Sequence, residues 1–178
     1  MPENKPKTIA DFIGHDDPNL PLFYLDEWTS DSPQCLLFSG QPGLGKTTAA
    51  YLIANELNLD LVELNASDER GIDAVRNKIK QIVYSTSPWN QTLILLDEFE
   101  GMTKPAQEAL KRMMEKSNCW WILTCNDLSS VIPAIKSRCV QFHFKPYSVK
   151  QIRAYLETLI SAHGVIATDS PEVLHSYF

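Results

Sequence analysis

The segment Gly40-Gln41-Pro42-Gly43-Leu44-Gly45-Lys46-Thr47 spells G-x-x-x-x-G-K-T between a strand-like apolar run and a helical pattern. Glycines at that spacing let successive backbone N–H groups turn inward around phosphate oxygens, and the start of the following helix adds the positive end of its dipole. Lys46 then supplies a point charge to the β- and γ-phosphates of a triphosphate, Thr47 offers a hydroxyl to Mg2+, and Thr48 adds a donor nearby. Hydrolysis needs a second metal anchor and a group that orients water. Leu93-Ile94-Leu95-Leu96-Asp97-Glu98 offers both at the end of an apolar strand, with Asp97 on the metal side and Glu98 polarising the water. Cys119-Trp120-Trp121-Ile122-Leu123-Thr124 is a further strand ending in Cys125-Asn126, and the Asn126 amide at its tip is either a γ-phosphate sensor or a turn residue.

These side chains must be positioned by elements that alternate short β-like runs with longer helical patterns, the mark of a parallel sheet with crossover helices. Predicted strands are Cys35 to Ser39, Leu61 to Asn65, Thr92 to Asp97, Cys119 to Thr124 and Cys139 to Phe142. Predicted helices lie near Lys46 to Leu57, Ile72 to Tyr84, Thr103 to Ser117 and Ile132 to Ser137. Trp120 and Trp121 point to opposite faces, so helices on both sides should cover them. Beyond Lys145-Pro146 the pattern changes: Ser148 reads as an N-cap, and Ile152, Leu156, Leu159 and Ile160 make a helical stripe. Ser170-Pro171-Glu172 then reads as the start of one more helix.

The chain has 178 residues, 44% hydrophobic and 21% charged, with a formal net charge of -6. A core of that size needs neither metal nor disulfide to fold. A surface of net negative charge excludes a general nucleic-acid magnet, so any DNA contact is local. No apolar run approaches the roughly 20 residues that cross a bilayer, and the polar N-terminus lacks a secretory h-region, so an intracellular, reducing location and no membrane partner are expected. Cys35, Cys119, Cys125 and Cys139 form no C-x2-C pair and are read as small core residues.

Taken together, the phosphate loop, Asn65-Ala66-Ser67-Asp68-Glu69-Arg70-Gly71-Ile72, Asp97-Glu98, Thr124-Cys125-Asn126 and Ser137-Arg138-Cys139 resemble the small subunits of replication factor C. More broadly they resemble clamp-loader ATPases of the AAA+ class, bacteriophage ones included. The resemblance implies an α/β, three-layer P-loop fold with a five-stranded parallel sheet of order 5-1-4-3-2 and the start of a helical lid. The segments are then 1–34 bordering the nucleotide site, 35–145 as the ATPase core and 146–178 as a partial lid. It implies ATP and Mg2+ in a site lined by Ile13, Gly14 and residues Gly40 to Thr48, with the metal on Thr47 and Asp97. Lys46, Glu98, Asn126 and Arg138 would be the catalytic set, Arg138 acting as an arginine finger in a neighbouring protomer's site; read alone, it is a surface arginine at a strand start.

Implied partners are other clamp-loader subunits, a sliding clamp and primer-template DNA. Arg76 and Lys80, four apart on one helix, would touch the DNA backbone, or else form a solvated face. Gln107, Lys111 and Arg112 would link ATP sites and DNA, Asn65 would hold Glu98 or merely cap a turn, and Ile82, Val83 and Tyr84 would touch the clamp. Other readings are a different AAA+ remodeller, such as a helicase loader or recombination-associated ATPase, and a nucleotide-binding but idle assembly subunit. Two departures from the pattern stand out. The family's N-terminal Lys-Tyr-Arg-Pro is here Glu3-Asn4-Lys5-Pro6, and the chain ends inside the lid without the family's sensor arginine or collar. A fragment, split gene product or truncated form is expected, one that alone binds nucleotide weakly and hydrolyses it slowly.

Overall fold

The computed structural model describes residues 6, 8–14, 17, 19–22, 35–66, 77–82 and 92–163, with side chains of 159 and 161–163 set aside. Arg76, Val83, Tyr84, the Ser67 to Ile72 part of the resemblance and the final helix start at Ser170 lie outside these residues. Five strands, β1 (Cys35–Ser39), β2 (Asp60–Asn65), β3 (Thr92–Asp97), β4 (Trp120–Cys125) and β5 (Val140–His143), form one parallel sheet ordered β2-β3-β4-β1-β5. Read from the other edge, this is the implied 5-1-4-3-2. The helices are α1 (Lys46–Glu56), α2 (Lys104–Met114), α3 (Pro133–Lys136) and α4 (Val149–His163), with a further helical segment at 77–82.

Strand residues alternate between two apolar layers. Leu37, Leu64, Ile94, Leu96, Trp121 and Leu123 pack with Ile79, Leu110 and Ile135 of the helices on one face. Leu36, Phe38, Leu93, Leu95, Trp120 and Ile122 pack with Ala49, Ala50, Leu52 and Ile53 of α1 on the other. The adjacent tryptophans thus do face opposite ways. A sheet buried on both faces is apolar along its whole length, which is why β1 reads Cys-Leu-Leu-Phe-Ser with every residue buried.

Local chemistry sets the ends. Ser148 opens α4 with a reciprocal cap: its N–H donates to Gln151 Oε1 at 2.9 Å, and the Gln151 N–H donates to Ser148 Oγ at 3.3 Å. Pro105 sits in the first turn of α2, where a missing N–H costs nothing. Gly40 leaves β1 at φ 141°, so close to β5 that a Cβ would collide with the Phe144 carbonyl oxygen.

One expectation is corrected. Cys35 and Cys139 are not separate core thiols but form a disulfide, while Cys119 and Cys125 are free and buried. The register explains it: Leu36 pairs with Val140, so the preceding cysteines stand side by side with Cα atoms 4.7 Å apart. Trp121, 2% exposed, fills the layer beneath α2. Truncating it with Trp121→Ala is expected to cost about 3–5 kcal/mol in urea unfolding, with the slope unchanged; a loss under about 1 kcal/mol would mean that layer is not close-packed.

Candidate nucleotide site

The C-terminal ends of β1, β3 and β4 meet at a cleft of about 360 Å³ whose lining includes Gly43, Lys46, Thr47, Asp97, Glu98 and Asn126. It opens where the sheet order reverses direction, the usual ligand crevice of an open α/β sheet. The loop after β1 reaches α1 through Gly45, left-handed at φ 85°, where a Cβ would come within 2.8 Å of the Phe12 ring. Only glycine fits there. Tyr147, just before α4, donates its hydroxyl to the Leu44 carbonyl at 2.8 Å and so fastens the same loop from the lid side.

Lys46 is 8% exposed and directs all three ammonium donors at protein acceptors. They are the carbonyls of Gly40 at 2.6 Å and Gln41 at 2.9 Å, and Asn126 Oδ1 at 3.0 Å. Burial pushes its pKa down, against the pull of Glu100, Cys125 and Asp97. Beside it the Thr47 hydroxyl donates to Asp97 Oδ2 at 3.2 Å, while Thr124 donates its hydroxyl to Asp97 Oδ1. Thr124 Oγ1 also accepts the Glu98 N–H at 3.3 Å. Glu98 itself holds the left-handed region at φ 53°, uncommon for a side chain of its size; such conformations cost of order 1–3 kcal/mol and gather at functional sites. This turns its carboxylate toward β2, where Asn65 Nδ2 donates to Glu98 Oε2 at 3.3 Å.

The structure therefore brings Lys46, Thr47, Thr48, Asp97, Glu98 and Asn126 together around one cleft. Ile13 and Gly14 are not among its lining residues; Gly14 lies instead against Gln151 of α4 and Leu20. Arg138 stands elsewhere, beyond α3, with its guanidinium on Ala134 O and Glu115. Lys80 is half-buried on the 77–82 segment, and Lys111 pairs with Glu108 at 3.3 Å. Gln107 is fully buried in α2, donating to Met102 O and Ser130 O, each at 3.0 Å, and accepting the Ile132 N–H at 2.9 Å.

Two cleft residues hold places to which the sequence reading gave no role. Glu100 Oε1 accepts both the Asn126 N–H at 3.1 Å and its Nδ2 at 2.6 Å, and Glu100 Oε2 is buried with no partner among the described residues. Thr124 is the second. The signal for Glu100 is its place two residues after Glu98; for Thr124 it is a hydroxyl at the tip of an otherwise apolar strand.

Residues 36–147 match the family described as ATPase family associated with various cellular activities (AAA). The chain belongs to the AAA family. Among curated relatives, the replication factor C small subunit of Methanosarcina mazei is 47% identical over 75% of this chain and 43% of that protein. That of Methanococcus maripaludis is 42% identical over 83% and 49%, and that of Natronomonas pharaonis 38% over 93% and 53%. The chain thus spans about half the length of the curated relatives it matches. A solved RuvB mutant from Thermogota maritima superposes with a TM-score of 0.71 at 21% identity, covering 90% of this chain and 56% of its own, which is a likeness of fold.

The residues suit the ligands of an AAA nucleotide site. Hard oxygen donors from Thr47 and Asp97 fit Mg2+, which prefers to share its sphere with phosphate and water. The carbonyls and amide around Lys46 are acceptors that phosphate oxygens would replace. No described helix is long and apolar enough to cross a membrane. Cys125, in the cleft wall, has its thiol pushed up to about 11, chiefly by burial. The thiolate is therefore scarce below that pH, and iodoacetamide labelling of Cys125 followed by mass spectrometry is expected to be slow at pH 8 and to rise toward pH 11; fast labelling at pH 8 would contradict this environment.

Proposed function

We propose that this chain is the ATPase domain of a clamp-loader small subunit. In an oligomer with other clamp-loader subunits, ATP binding and hydrolysis would open a sliding clamp and load it onto primer-template DNA. What carries the reading is the identity of 38–47% over most of the chain to proteins named replication factor C small subunit. An intact set of Lys46, Thr47, Asp97, Glu98 and Asn126 in one cleft supports turnover over an idle structural role.

In this reading the triphosphate draws the Lys46 ammonium off its internal acceptors and onto the β- and γ-phosphate oxygens. Asn126 then exchanges Lys46 for the γ-phosphate edge while Glu100 keeps its amide oriented. Thr47 and Asp97 would hold Mg2+, which when bound neutralises charge on the phosphate oxygens. Glu98 takes a proton from water as the water oxygen bonds to the γ-phosphorus and the bond to the β–γ bridging oxygen breaks, ADP leaving with that electron pair. Asn65, hydrogen-bonded to Glu98, is the group that holds this carboxylate aside. Arg138 serves a neighbour's cleft, where a guanidinium supplied in trans is worth about 10^3 to 10^5 in rate. The proposed link between the two sites runs through Met102, Gln107 and Ile132 to the short helix before Arg138. Arg76 and Lys80 are assigned to DNA phosphates, and the residues near Ile82 to the clamp; an intracellular location follows from this role.

Two measurements on the assembled full-length protein test the reading. Turnover is expected to rise when a ring-shaped clamp and primed DNA are added together, and Glu98→Gln is expected to lower it by about 10^2–10^4 while nucleotide stays bound. Indifference to clamp and DNA points to another remodeller, and unchanged turnover in Glu98→Gln to an idle subunit. Replacing both Arg76 and Lys80 by Ala is expected to reduce the salt slope of primed-DNA binding by about 2; an unchanged slope removes both contacts.

A further inference from the structure

Arg138 is not a loose surface arginine. The short helix α3 ends with Ser137 N–H on Pro133 O at 2.9 Å and Arg138 N–H on Ile135 O at 2.9 Å, which fixes the backbone from which the side chain leaves. The guanidinium then folds back onto two acceptors from different elements. Nη1 donates to the Ala134 carbonyl at 2.9 Å, and Nη2 donates to Glu115 Oε1 in an ion pair. Glu115 is the C-cap residue of α2, the helix whose Gln107 is bonded to Met102 and Ile132.

The geometry points to Glu115 as the positioning residue of Arg138: its carboxylate, working with the Ala134 carbonyl, holds the part-exposed guanidinium in the orientation from which it meets an anion on a neighbouring protomer. This rests on the proposed role of Arg138 in a neighbour's ATP site and adds the residue that aims it. Of the five N–H donors of a guanidinium, these contacts use one on each terminal nitrogen, leaving Nε and the second hydrogen of each terminal nitrogen for phosphate oxygens. The side chain remains 39% exposed, so the pair presents the cation instead of sequestering it. Arginine's long side chain carries considerable rotamer entropy, which an unrestrained side chain would lose only on reaching the transition state. A guanidinium held beforehand has lost it already, and pre-aimed charge is what stabilises charge developing on a transferring phosphoryl group.

An exposed ion pair contributes little to stability, so a positioning role and a structural one separate cleanly. In the assembled full-length ATPase, Glu115→Ala is expected to lower kcat on the order of 10-fold with KM for ATP and the melting temperature nearly unchanged. Glu115→Gln, which keeps a carbonyl acceptor, is expected to recover most of that loss, and adding Glu115→Ala to Arg138→Ala should slow turnover no further. A faster Glu115→Ala enzyme would make Glu115 a latch and overturn the inference. So would Glu115→Gln and Glu115→Ala enzymes equally slow with lowered melting temperatures, which is the structural outcome. Should Arg138→Ala itself leave turnover intact, the underlying role of Arg138 fails first, and this inference falls with it.

Discussion

A buried ammonium organises this domain. Taking a charge out of water costs several kcal/mol unless it is paired and hydrogen-bonded, and Lys46 meets that demand with two carbonyls of its own loop and the Asn126 amide. Those acceptors converge because β4 lies next to β1 in the sheet, which brings Asn126 beside a lysine 80 residues earlier in the chain. Gly40 lets the loop pass close enough to β5, and Gly45 lets it turn into α1 beneath the Phe12 ring. The carboxylates of Asp97 and Glu100 stand near enough to pull the lysine pKa back up against its burial. The cation is thus held in a nest of three polar acceptors at 2.6–3.0 Å.

Around this nest the hydrogen bonds form a chain of shared partners. Asn126 joins Lys46 to Glu100, and Thr124 joins Asp97 to the backbone of Glu98. The turn Phe99–Gly101 leads from those acids to Met102, whose carbonyl is held by Gln107 from inside the core. Gln107 is completely buried, and all three of its contacts go to backbone groups on either side of α2. Satisfied buried amides of this kind fix the relative placement of the elements they bridge. Here they place the cleft, α2 and α3 in one frame, with Arg138 and Glu115 at its far side.

Much of this was legible in the amino-acid order. The phosphate loop needs glycines at set positions before a helix, and the paired acids need an apolar strand before them, so both leave a local signature. Strands β1 and β3 begin and end where the apolar runs do, because a sheet covered on both faces has no polar positions to blur its limits. The strand order was another matter: it followed from family resemblance, since nothing local records which strands are neighbours. Glu100 belongs to no motif, and its bonds to Asn126 arise only when β3 and β4 lie side by side. Cys35 and Cys139, 104 residues apart, became partners through the β1–β5 register. The contact between Arg138 and Glu115 is likewise tertiary, joining residues that no periodicity relates.

The claim on which the rest stands is that the Lys46 nest is a triphosphate site. Isothermal titration calorimetry of magnesium-loaded ATP into the full-length protein, and into its Lys46→Met variant, addresses it most directly. The account predicts saturable uptake at one site per chain in the wild type and loss of that uptake in the variant. Heat of binding absent from the wild type, or equal in the two proteins, would contradict it.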